Sequence, residues 1–104
     1  MRKLTLNTVI QEYRKNDPEF EKHYQKELWI NEIASMIVRL RKRAHLTQIE
    51  LADKANTTQP VIARLESGSD TRIPSLALLA RIATALHVRL YIGFKETNGD
   101  LSTV

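Results

Sequence analysis

Apolar positions recur at helical spacing along most of this chain. Leu6, Val9, Ile10 and Tyr13 form a first stripe, which predicts a short amphipathic helix over residues 4–15. Asn16-Asp17-Pro18 ends it and starts another, with Asp17 as N-cap and Pro18 at the first helical position. A longer periodic run covers residues 18–44. Phe20, Tyr24 and Leu28 open its stripe; Trp29, Ile33, Met36, Ile37 and Leu40 continue it. No Gly or Pro interrupts it, so it is either one helix or a helix bent near residues 27–31. Arg39, Arg41, Lys42 and Arg43 close it, at the end where the helix dipole favours cations.

The next stretch, LTQIELADKANTTQPVIARLESG, holds two short helices and a tight turn. Thr47 and Glu50 have the spacing of a capping box. Leu51, Ala52 and Ala55 follow at helical spacing. Asn56 can take φ > 0 and turn the chain. Thr58 is positioned to cap the second helix, with Pro60 in its first turn, where a missing N–H costs little. Ile62 and Leu65 are its apolar side and Gly68 its end. Two helices so joined describe a helix-turn-helix, whose second helix enters the DNA major groove. The plainer reading is a helical hairpin in a small bundle.

A polar loop, SDTRIPS, leads to Ser75, a cap for a helix carrying Leu76, Leu79, Ile82, Ala83 and Leu86. In VRLYIGF, Val88, Leu90, Ile92 and Phe94 alternate with Arg89, Tyr91 and Gly93, which predicts a strand over residues 88–94. A lone strand needs a partner for its N–H and C=O groups, so a second molecule is expected beside it. The class expected is all-α, with a short C-terminal β-strand.

Charge sharpens this picture. Residues 1–38 carry six basic and six acidic side chains; residues 39–89 carry nine and four. The excess sits on the helix-turn-helix and its neighbours, as expected of a domain that neutralises phosphates, although a solvated basic surface has the same composition. There is no cysteine, which excludes disulfides and cysteine–zinc sites and fits a reducing cytoplasm. No signal-peptide run or bilayer-spanning segment is legible, so a cytoplasmic location is expected, with no membrane partner. His23, His45 and His87 have no ligand cluster around them, and no phosphate-binding Gly-rich loop is present. No enzyme, cofactor or metal is expected.

Gln59 and Arg64 lie five residues apart, so they are separated by ~140° around the helix and ~7.5 Å along it. A helix entering a groove by its N-terminus can aim both at bases, Gln at adenine and Arg at guanine. Pro60 can offer an apolar contact to a thymine methyl, and Ala63 is small enough for close approach. Gln48 and Thr58 stand at helix starts suited to phosphate. Arg43 and Arg72 complete the expected DNA-facing set. A solvated helix face is the bland alternative.

LTQxELA, with the IxRLExG ending and then Pro74, Ser75, Leu76, Leu79, Ile82, Ala83 and Leu86, resembles the lambda-repressor/Cro-type helix-turn-helix family. The resemblance runs from near Ile37 to Val88. It implies a lambda-repressor-like bundle over residues 37–88, an N-terminal helical extension over 1–36, and a C-terminal strand and polar tail over 89–104. It also implies DNA contacts at Gln48, Thr58, Gln59 and Arg64. Arg41 and Glu66 match an ion pair tying the preceding helix to the recognition helix. A Gly is common in the family where Ala44-His45 stands, and a polar residue where Pro60 stands.

The layout of extension, Cro-type domain and LYIGF-like ending resembles the HigA group of antitoxins. That resemblance implies a partner, a HigB-type ribonuclease toxin, and repression of the chain's own operon. One recognition helix covers few bases, so a homodimer on an inverted repeat is expected. Leu6, Val9, Ile10, Tyr13 and Tyr24, in a charge-balanced region, are the expected toxin-binding residues. The stripe formed by Leu6, Val9, Ile10 and Tyr13 is also expected to cover the long helix near Tyr24, Leu28 and Trp29. The alternatives are a stand-alone Cro-type repressor and a structural or RNA-binding helical protein; residues 1–30 would then merely extend the core.

Overall fold

The computed structural model describes residues 5–96. Five helices follow one another: α1 (Leu6–Asn16), α2 (Pro18–Arg43), α3 (Gln48–Lys54), α4 (Gln59–Ser67) and α5 (Leu76–Ala85). The first expected helix starts later than residue 4, which lies outside the described residues. Thr5 is its N-cap, and the Thr5 hydroxyl accepts from the Thr8 N–H. Asp17 caps α2 by accepting from the N–H groups of Glu19 and Phe20. Of the two readings of residues 18–44, the uninterrupted helix is the one found.

The core lies around α3 and α4. Leu51 and Ile62 are completely inaccessible, and Ile37, Ala52, Ala55, Leu65, Ile82, Ala85 and Leu86 close around them. Each such large aliphatic side chain contributes about 1.5–3 kcal/mol relative to remaining in water. Along α2 the buried positions are Ile30, Ala34 and Ile37, so only its C-terminal half belongs to this core. The N-terminal half of α2 carries α1, and α1 itself has no buried residue.

Turns are set by residues in the left-handed region. His45 (φ 57°) follows α2, Asn56 (φ 54°) follows α3, Gly68 (φ 69°) ends α4, and His87 (φ 57°) follows α5. At the first, second and fourth of these the next N–H returns to the helix: Leu46 to the Arg41 carbonyl, Thr57 to Ala52, Val88 to Ala83. Those bonds satisfy carbonyls that a helix end would otherwise orphan. At Gly68 a Cβ would also stand 2.7 Å from Asn31 Oδ1 on α2, so α4 ends in close contact with the long helix.

The expected strand over residues 88–94 is absent. Among the described residues no regular structure follows α5, and residues 89–96 make no backbone–backbone bond. The apolar–polar alternation is present in the sequence, but strand structure requires a ladder, and no second strand exists among the described residues. Tyr91 and Phe94 stand exposed.

Candidate nucleic-acid interface

The turn between α3 and α4 is built from local signals. The Thr47 hydroxyl accepts from the Glu50 N–H at 3.1 Å, and the Glu50 carboxylate accepts from the Thr47 N–H at 2.9 Å. The Thr47 N–H, and after it the Thr47 hydroxyl, hold the Glu50 carboxyl below its ordinary value. Thr58 occupies the N-cap of α4, yet its hydroxyl makes no capping bond. The reason lies in the next residues. A cap side chain bonds the second or third helical N–H. Pro60, the second, has none, and the Val61 N–H bonds the Thr58 carbonyl instead. The exposed Thr58 hydroxyl is thereby left toward solvent.

Gln48 and Gln59 are the first residues of α3 and α4, and the fold brings them together. Gln59 Nε2 donates to Gln48 Oε1 at 2.9 Å, and Gln48 Nε2 donates to Glu66 Oε1 at 3.1 Å. Glu66 is also held by Arg41, whose Nε donates to Oε2 at 2.6 Å and Nη2 to Oε1 at 2.9 Å. The remaining Arg41 Nη1 donates to the Leu46 carbonyl at 2.8 Å, just before α3. Arg41 and Glu66 side chains are 14% and 6% exposed. Burial pushes the Glu66 carboxyl up, but bonds from Arg41 and Gln48 and the charges of Arg41 and Lys42 outweigh it and hold it below its ordinary value.

The other expected DNA-facing residues are placed as follows. Arg64 is exposed and approaches Asp70 Oδ2 only at 4.0 Å. Pro60, Arg43 and Arg72 are exposed, and Ala63 is half-buried. The Arg72 N–H is bonded to Asp70, which shapes the loop after α4. Sequence reasoning missed Arg81. From α5 its Nε donates to the Ala55 carbonyl at 3.0 Å, which pins the end of α3 where the turn begins. The available signal was a lone cation in an otherwise apolar helix, LALLARIATA.

At the other end of the molecule, Arg14 makes a bidentate pair with Glu21 at 2.8 and 3.1 Å and lies 4.6 Å from the centre of the Tyr24 ring. Tyr13 and Phe20 rings are 5.2 Å apart, and Phe20 and Tyr24 rings 6.1 Å. Tyr24 is thus half-covered by α1, whereas Leu6, Val9 and Tyr13 are exposed and Ile10 is half-buried. Trp29 lines a groove with Met36, Leu79, Leu86, Leu90 and Ile92 that no α1 residue lines. Among the described residues no His/Cys/Asp/Glu group could hold a metal, and no helix is long and apolar enough to cross a membrane.

Two short helices, a left-handed turn between them and exposed Thr58, Pro60 and Arg64 on the second define a DNA-reading helix-turn-helix. The family model described as helix-turn-helix matches residues 37–92, more than half of the chain. The chain belongs to this lambda-repressor/Cro-type family, and the protein is a sequence-specific DNA-binding regulator. No curated protein and no solved structure matches it.

Proposed function

We propose that the protein is the antitoxin of a type II toxin–antitoxin module. It would inhibit a HigB-type ribonuclease with the α1–α2 arm and repress its own operon with the helix-turn-helix. The observation behind this reading is the arm. It precedes the family match, its charges balance, and no α1 residue is fully buried, leaving Leu6, Val9 and Tyr13 exposed. A surface without excess positive charge gains little from DNA. Apolar and aromatic anchors within a charged rim suit a protein partner.

On the DNA side, Gln59 would read adenine and Arg64 guanine, with Pro60 against a thymine methyl and Ala63 permitting close approach. Gln48, Thr58, Arg43 and Arg72 would hold phosphates. One recognition helix spans few base pairs, so a homodimer on an inverted repeat is the working form.

The test is co-expression with the adjacent reading frame, sought as a small basic ribonuclease. The full chain should copurify with that protein and block its RNA cleavage. Deleting residues 1–16 should abolish inhibition while duplex binding stays within about tenfold, or ~1.4 kcal/mol. Full inhibition by the truncated chain would move the toxin surface elsewhere. A chain that binds its operator but never its neighbour's product would be a stand-alone repressor.

A further inference from the structure

The Arg41–Glu66 pair would be complete with its two mutual hydrogen bonds. Here Glu66 Oε1 takes a further donor, Gln48 Nε2 at 3.1 Å, beside Arg41 Nη2 at 2.9 Å. An ionised carboxylate only accepts, and guanidinium only donates. Gln48 must therefore turn its NH2 toward Glu66 and its carbonyl outward. That carbonyl takes Gln59 Nε2 at 2.9 Å. Turning either amide over would set acceptor against acceptor or donor against donor. The polarity of the ion pair passes through two amides to the first residue of α4.

We propose that Glu66 is a positioning residue for base readout. Through Gln48 it fixes the orientation of the Gln59 amide before DNA arrives. Gln59 then presents its carbonyl and its second N–H in a set order, the pattern that adenine N6 and N7 match. Fixing the amide in advance removes an ordering cost from binding. The proposal rests on Gln59 being a base-reading residue.

The test starts from duplexes randomised in sequence, from which the full chain selects its sites. Affinity is then measured for selected duplexes and for each single base-pair change. Gln59→Ala should lose about tenfold of discrimination at one base pair per half-site, which locates the Gln59 contact. Gln48→Met removes the amide at similar length and leaves the ion pair intact. It should lose a comparable factor at that base pair, on top of the uniform loss on every duplex expected from its phosphate contact. A phosphate contact alone would weaken all duplexes alike and leave discrimination at that base pair unchanged. The double variant Arg41→Met/Glu66→Met removes the source of polarity without stranding a buried charge. It should show the same local loss, and adding Gln48→Met to it should lower discrimination at that base pair no further. Thermal melting followed by circular dichroism establishes that each variant is folded. Retained discrimination at the Gln59 base pair in Gln48→Met, or in the folded double variant, overturns the proposal and leaves Glu66 as a joint between α2 and α4. A selected site unchanged by Gln59→Ala removes the base-reading role itself, and the relay with it.

Discussion

The molecule contains the same ion pair twice, in two different surroundings. Arg14–Glu21 joins α1 to α2, and Arg41–Glu66 joins α2 to α4; in both, Nε and Nη2 of the arginine grip the two carboxylate oxygens. The first pair leaves about a third of each side chain in water, 29% and 32%, whereas only 6% of Glu66 is exposed. Around the first lie exposed polar groups and a half-covered Tyr24; around the second lie the start of α3 and the end of α4. An exposed pair gains little because water already solvates both charges. A buried pair is hard to break because the survivor has lost that water. The arm is therefore held loosely by its surface, and the helix-turn-helix body rigidly by its interior. A loosely held arm suits a partner; a rigid body suits the fixed geometry of a DNA groove.

The hydrophobic contrast should give the largest effect. Ile62→Ala, at a site with no exposure, is expected to cost about 2–5 kcal/mol, while Val9→Ala on the arm should stay within about 0.5 kcal/mol. Chemical denaturation measures both. Equal losses would mean that arm and body share one core.

The ion pairs come next. Glu66→Ala should cost about 3 kcal/mol by stranding Arg41 beside the core. Glu21→Ala should have little effect on the global transition. Acid separates them as well. Both carboxyls lie below their ordinary value of 4.5, Glu21 through bonds from Arg14 and Gln25, and Glu66 because Arg41 and Gln48 overcome the effect of burial. A carboxyl depressed by folding stabilises the fold above its unfolded value and ceases to do so as pH falls through the folded one. Protonation of Glu21 should thus free the arm with the body intact, whereas protonation of Glu66 should accompany loss of the body. Carboxyl and amide NMR during an acid titration reads both. High salt should weaken the Arg14 pair and hardly touch the Arg41 pair.

The smallest effect concerns binding. Arg64→Ala should cost ~1–3 kcal/mol on a selected duplex and little on random DNA. An equal loss on both would make Arg64 a phosphate contact and confine base reading to the start of α4.

What the residues alone determined was whatever neighbours along the chain decide. The capping box of Thr47 and Glu50 needs only a spacing of three, and both of its bonds are present. Asn56 and Gly68 were readable as turn residues because few side chains tolerate φ > 0, and both adopt it. Context limited two local readings. Thr58 takes the N-cap place its position predicts, but Pro60 and the Val61 N–H together leave its hydroxyl without a capping bond. The strand was read from alternation, which reports side-chain pattern and not the presence of a partner.

Tertiary structure decided the rest, because it joins groups far apart in sequence. Gln59 meets Gln48 across 11 residues and Gln48 meets Glu66 across 18; the Arg41–Glu66 pair across 25 was legible through the family resemblance alone. Arg81 reaches the end of α3 across 26. Helical periodicity says which face a residue occupies. It does not say which other helix that face meets, and hydrogen-bond direction is fixed only when both partners are in place. Sequence therefore specified a DNA-reading motif, while the order of donors and acceptors at its first residue came from three helices packed together.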